Sequence, residues 1–192
     1  MIDTVSMAND IARAQALGVD DVVMFIHWGN EYERLPNMQQ KRLAGWLHGK
    51  GVRIIIGSHP HVVQPAELNH FENDFRLVVY SLGNFVSNQR RRYCDGGVVA
   101  LIDLKKQNDK VEVVGAGYIP VWVDTYFSKG KRKYKVFPVG MYEGKSNQFL
   151  SASDSAFKVF VDDTRSLLNA NNINFPEVKL VNGEWVVPLL SR

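Results

Sequence analysis

The chain has 192 residues, 45% of them hydrophobic and 22% charged, which excludes a disordered or collagen-like protein and allows one large domain or two small ones. The apolar run Val22–Ile26 is only five residues long, far short of the ~20 a membrane-spanning helix needs, so no membrane span is expected. A single cysteine, Cys94, excludes an internal disulfide framework and a multi-cysteine zinc site.

The N-terminus has no basic start followed by an apolar core and reads as lacking a signal peptide. The net charge of +3 is unevenly placed: residues 1–96 carry 10 Lys and Arg against 10 Asp and Glu, residues 97–192 carry 13 against 10. Lys129–Lys135 alone holds five basic residues and no acid. A nucleic-acid-binding domain spreads its basic residues over a face, so no nucleic-acid partner is expected.

In chain order, Val5–Leu17 predicts an amphipathic helix with Ala8, Ile11, Ala12 and Leu17 near helical spacing and Gly18 as its stop. Asp21–His27 predicts a short, β-branched strand buried on both sides. Pro36 opens a second helix to about Lys50, whose apolar face is Met38, Leu43, Trp46 and Leu47. Arg53–Ile56 predicts another buried strand. Helix, strand, helix, strand is the order of a parallel α/β sheet.

After residue 75 the pattern turns to strands joined by hairpins: Leu77–Leu82, Val98–Leu104, Val111–Tyr118 and Tyr134–Val139, with a turn at Asn108-Asp109. Ser153–Leu168 predicts a late helix and Trp185–Pro188 a last strand. The fold class is therefore mixed α/β, and the weakest point for a boundary is the glycine- and serine-bearing stretch 140–152.

Three of the five histidines stand where strands should end: His27 after the first, His59 and His61 after the second. Ligands of open α/β sheets bind beyond the carboxyl ends of the strands. If these two strands are parallel neighbours, the three imidazoles converge there as metal ligands, with Pro60 holding His59 extended so that residues 59 and 61 point the same way. Glu31 reads as a further ligand-facing carboxylate or as a salt-bridge residue at the lip. A hydrolytic two-metal centre needs more anionic ligands than this.

The segments His27-Trp28-Gly29-Asn30-Glu31-Tyr32, Pro36 with Gln39-Gln40, Gly57-Ser58-His59-Pro60-His61-Val62-Val63-Gln64-Pro65 and Tyr80-Ser81-Leu82-Gly83-Asn84-Phe85-Val86 resemble, in order and spacing, the capsule-synthesis CapA (poly-γ-glutamate synthesis) family, a branch of the calcineurin-like metallophosphoesterases. The resemblance covers roughly residues 5–105. It implies a β-sandwich flanked by helices, with 1–105 the C-terminal part of the metallophosphoesterase domain and 106–192 a β-rich continuation ending in a helix. It also implies a divalent metal (Zn, Mn or Fe), absent or partly occupied in this chain. His27 then matches the lone histidine of the fourth metal motif, and His59 and His61 match the two histidines of the closing Gly-His-x-His motif, with Ser58 in place of its glycine.

The aspartate motifs of the family's N-terminal half have no match here. Asp3, Asp10, Asp20 and Asp21 do not close hydrophobic strands, so the isolated chain is expected to be inactive alone. Full-length relatives are exported or anchored at the cell surface. The expected partners are a second copy of the chain or a complementing N-terminal half, held by an exposed sheet edge. Asn84, in the family's Ser-Leu-Gly-Asn-Phe hallmark, reads as a turn residue or a substrate-binding one. Arg90 and Arg91 read as a grip for phosphate or polymer carboxylate, or as part of a solvated loop. The rival functions are a non-catalytic scaffold of capsule polymer synthesis or export, which would lack metal and turnover, and a polyanion-binding module, whose binding would weaken steeply with salt.

Overall fold

A computed structural model describes residues 2–71, 74–108, 110–145 and 154–190. In chain order the elements are α1 (Thr4–Ala16), β1 (Val23–His27), α2 (Met38–Gly49), β2 (Ile54–Ser58), β3 (Val63–Phe71), β4 (Asp74–Leu82), β5 (Gly96–Gln107), β6 (Lys110–Ser128), β7 (Lys131–Pro138), α3 (Val139–Tyr142), α4 (Asp154–Asn171), β8 (Lys179–Val181) and β9 (Glu184–Val186). Asp109 of the expected turn, residues 146–152 of the expected boundary and Ser153 of the expected helix lie outside the described residues.

The first sheet has the order β1-β2-β4-β3, with β1, β2 and β4 parallel and β3 antiparallel to β4. The second is the antiparallel meander β5-β6-β7. The sheets face each other across a core in which Ile54, Ile56, Leu68, Leu77 and Val79 of the first meet Val98, Val113, Ala116 and Tyr118 of the second. On the outer face of the first sheet, Ile11 of α1 and Ala44 and Leu47 of α2 cover Ile26, Ile55, Val78 and Tyr80. On the far side, Phe157, Phe160 and Val161 of α4 pack on Trp122 and Phe137. The result is a mixed α/β sandwich with helices on both sides.

Both N-terminal helices begin where their sequences provide a cap. Asp3 Oδ1 accepts from the backbone N–H groups of Val5 and Ser6. Asn37 and Gln40 cap α2 reciprocally, each side chain accepting from the other's backbone N–H.

Three expectations are corrected. β1 is not buried on both sides, because it is the edge of its sheet; Val23 is 45% and Phe25 75% exposed, and only Ile26 within the strand is buried. β3 was not foreseen. Its Pro65 argues against a central strand, and it is tolerated because β3 lies at the other end of the sheet, where its outer side bonds to the segment after α4: Leu68 N–H donates to Ile173 O and Ile173 N–H to Ala66 O. β6 runs well past Tyr118. Within it, Gly117 sits where a Cβ would meet Pro176 O at 2.5 Å, so it serves the close approach of a neighbouring segment.

Candidate functional site at the strand ends

Parallel pairing decides the site. β1 and β2 are aligned so that His27 is the partner of Ser58, and β4 runs alongside β2 in the same direction. The residues that leave the three strands at their carboxyl ends are therefore His27, His59 and, after the Leu82-Gly83 step, Asn84. The His27 and His59 rings lie 4.2 Å apart between centroids, and those of His59 and His61 lie 6.2 Å apart. The three imidazole rings are therefore neighbours at this edge of the sheet.

The connection is not the extended stretch expected from Pro60. His59 has φ 102° and His61 φ 58°, both in the left-handed region, as is Tyr32 at φ 67°. The cause is that the two loops are tied together. Trp28 N–H donates to Ser58 O at 3.1 Å and Tyr32 N–H to Pro60 O at 2.7 Å. Chain reversal between the parallel β2 and the returning β3 is completed within four residues, Ser58 to Val63, and cannot be made with extended backbone.

Asn84 is buried, and its orientation follows from its partners. Its Nδ2 donates to Cys94 O at 2.7 Å and to His61 O at 3.2 Å, and a backbone carbonyl can only accept. Its Oδ1 therefore faces His61 Nδ1, 3.0 Å away, and that nitrogen must carry the proton. The neutral ring then presents its lone pair at Nε2. This is the arrangement by which an outer hydrogen bond fixes the tautomer of a ligating histidine. Cys94, which supplies the carbonyl, is fully buried, and burial raises its thiol above the ordinary value.

The remaining expected residues separate. Glu31 Oε1 is 3.9 Å from His61 Nε2. Arg91 lies over the Tyr32 ring at 4.5 Å, and Tyr32 stacks on His61 at 6.2 Å, so a cation reaches the histidines through an aromatic ring. Arg90 instead donates to the carbonyls of Val123, Ser87 and Gln89, which anchors its loop. Arg92 is held bidentate by Asp163.

Two buried supports were present in the quoted motifs without an assigned role. Trp28 Nε1 donates to Tyr80 O at 2.9 Å, passing over Gly57, where a Cβ would sit 2.1 Å from that oxygen. Gln40 Nε2 donates to Gln64 Oε1 at 2.8 Å, and Gln64 Nε2 donates to Glu33 O at 2.7 Å, fastening the loop that carries Glu31 and Tyr32. For Gln40 the signal was a polar side chain on the face of α2 that also buries Ala44 and Leu47.

Imidazole nitrogens suit a borderline divalent ion such as Zn²⁺. The His27–His59 pair and the free Nε2 of His61 provide such donors, with Glu31 as the adjacent carboxylate. Among the described residues, no three His, Cys, Asp or Glu groups are drawn together closely enough to hold an ion as they stand. The donor types are those a divalent metal takes.

Residues 2–89 match the family model described as bacterial capsule synthesis protein PGA_cap. This stretch, a little under half of the chain, is similar to the capsule-synthesis CapA family. Over 70 residues the chain is 44% identical to the PGA biosynthesis protein CapA of Bacillus subtilis (strain 168), covering 36% of this chain and 17% of that protein. Over 89 residues it is 37% identical to the capsule biosynthesis protein CapA of Bacillus anthracis, covering 46% of this chain and 20% of that protein. The match thus spans a fifth or less of these curated relatives. The family-model match over residues 2–89 includes His27, His59, His61 and Asn84. Within the described residues no helix is long and apolar enough to cross a membrane.

Proposed function

We propose that this CapA-like chain carries the imidazole portion of a divalent-metal centre of metallophosphoesterase type, serving the assembly of an anionic capsule polymer such as poly-γ-glutamate. One observation carries the reading: the adjacent ends of the parallel strands β1 and β2 bring His27, His59 and His61 together, and Asn84 after β4 orients His61 through Nδ1, leaving Nε2 as the ring's other donor. The same buried amide satisfies the Cys94 carbonyl and orients the His61 ring, and an apolar residue of the same shape would do neither.

His27, His59 and His61 would hold the ion. A bound divalent ion supplies Lewis acidity and an activated water. Arg91, held over Tyr32, supplies positive charge beside the site for a phosphoryl or carboxylate group. Glu31 is the carboxylate nearest the imidazoles, and one carboxylate does not offset two divalent ions. The chain alone is therefore assigned one ion and little turnover.

The test is metal titration of the purified chain with Zn²⁺, Mn²⁺ and Fe²⁺, paired with hydrolysis of bis(p-nitrophenyl) phosphate. One ion per chain is expected, lost in His27→Ala and His59→Ala, with no robust turnover. Binding of no ion favours the scaffold reading. Robust turnover abolished by His59→Ala overturns the assignment of inactivity.

A further inference from the structure

The β6–β7 hairpin lies outside the family match and has no part in the histidine centre. We propose that its tip is a peripheral docking element for an anionic lipid bilayer surface. The turn is Lys129-Gly130, with φ 51° and 70°, the two left-handed residues of a type I′ hairpin. Asn or Asp is the ordinary occupant of the first position because it tolerates that conformation. Lysine accepts the strain here and places a cation at the apex.

Lys129, Lys131, Arg132, Lys133 and Lys135 are all exposed, and no acid occurs from Thr125 to Tyr142. Asp124, buried opposite Lys135 in the ladder, lies at the base of the hairpin and not at its tip. Without the five cations the chain would be at −2, so the positive charge of this protein is a property of the hairpin.

Aromatic side chains stand among these charges. Phe127 is 70% exposed, Tyr134 39% and Tyr126 38%. The register pairs Tyr126 with Lys133 and Phe127 with Arg132. Opposed residues share a face, so each face of the ribbon carries an aromatic ring beside a cation. Arg132 is tied back to Asn88 Oδ1 at 2.7 Å and covers the Phe127 ring at 5.3 Å. Lys129, Lys131 and Lys133 remain exposed around the tip.

This combination selects the partner. Lysines alone on the edge strand β7 would serve to prevent edge-to-edge pairing. A water-soluble polyanion would need the same lysines and would offer nothing apolar to Phe127. A bilayer with anionic headgroups offers both, because aromatic rings settle at the headgroup level and each nearby Lys or Arg adds attraction to the surface.

The experiment is co-sedimentation of the full chain with phosphatidylcholine vesicles, with and without phosphatidylglycerol. Binding is expected only with phosphatidylglycerol and should fall steeply as salt screens the charges. Each cation removed should lower the partition coefficient roughly fivefold. Lys131→Glu with Lys133→Glu should therefore lower it by well over tenfold.

Lys129→Asn should lower it about fivefold while relaxing the turn, so misfolding cannot explain the loss. Phe127→Ser should weaken binding at unchanged charge. No partition onto phosphatidylglycerol vesicles, or full binding by the double glutamate variant, overturns the proposal. So does equal affinity for soluble polyglutamate with Phe127→Ser silent, which would make the hairpin a polyanion site.

Discussion

Replacing Asn84 by leucine keeps its approximate shape and removes all of its hydrogen bonding. The stronger bonds lost are Nδ2 to Cys94 O at 2.7 Å and Oδ1 to His61 Nδ1 at 3.0 Å; those to His61 O at 3.2 Å and Gln89 Oε1 at 3.3 Å are longer. Cys94 is fully buried, so no water replaces the amide at its carbonyl. An orphaned buried group costs about 1–3 kcal/mol, and the half-buried His61 nitrogen can recover part of its loss from solvent. Asn84→Leu should therefore destabilise the chain by about 2–4 kcal/mol. At ~2–4 °C per kcal/mol for a chain of this size, the melting temperature should fall by roughly 5–15 °C.

A second readout separates positioning from packing. Nitrogen-15 spectra of the imidazoles at alkaline pH should show His61 as the Nδ1–H tautomer in the wild type and as a mixture in Asn84→Leu. A wild-type His61 protonated at Nε2, or a melting temperature unchanged in the variant, would refute the deduction of the amide orientation.

Gly57→Ala should cost about 2–4 kcal/mol in chemical denaturation, because the new Cβ would fall 2.1 Å from Tyr80 O and 2.4 Å from Trp28 Nε1, displacing the indole from its buried bond. Arg165 binds both Glu143 and Glu177, joining α4 to the ends of two other segments. Arg165→Met should therefore lower the melting temperature at pH 7. The bonds to Arg165 hold the Glu143 carboxyl below its usual range, so their contribution is present above the ordinary carboxylate pKa and lost as pH falls through the lowered one. The gap between wild type and variant should accordingly narrow in acid, and a gap independent of pH would count against the network. The free edge of β1, with Val23 and Phe25 facing out, should pair with a second copy, so light scattering should show a mass that rises with concentration and a monomer for Phe25→Lys; identical masses for the two would dismiss the edge as the contact.

The order helix, strand, helix, strand was legible because β1 and β2 are short β-branched runs between two helices with stop signals, and their parallel pairing followed from that order. The histidine cluster was legible for the same reason, since strand ends are adjacent only if strands are. Asn84 was placed at a hallmark segment, but its role required knowing that β4 enters the sheet beside β2, which no local pattern states. The burial of β1 was misread because periodicity reports that a strand is apolar and not whether a neighbour covers it. β3 was missed because Pro65 and the charged or polar residues Gln64, Glu67 and Asn69 hide an alternation that only the segment after α4 completes. The continuation of β6 past Tyr118 was missed because it passes through Pro120, which cannot donate to a ladder; Pro120 is tolerated because the pairing with β7 starts only at Val121.

The strain in the loop after β2 leads to a final prediction. His59 at φ 102° occupies a region in which any Cβ crowds its own backbone, and glycine does not. Tyr32 and His61, at φ 67° and 58°, share the condition, and all three meet at the imidazole cluster. Such residues cost of order 1–3 kcal/mol each and persist only where the surroundings hold them. The hydrogen bonds from Trp28 to Ser58 and from Tyr32 to Pro60 provide that hold. If the strain is the consequence of placing an imidazole there, removing the side chain and the Cβ together should stabilise the fold. His59→Gly should then be more stable than His59→Ala by about 1–2 kcal/mol, although glycine is the more flexible residue in the unfolded chain and would lose that comparison wherever φ is negative. Urea denaturation of the two variants measures the difference directly. Equal stability, or an advantage for alanine, would mean that His59 is not held in the left-handed region, and the geometry of the histidine cluster would have to be redrawn.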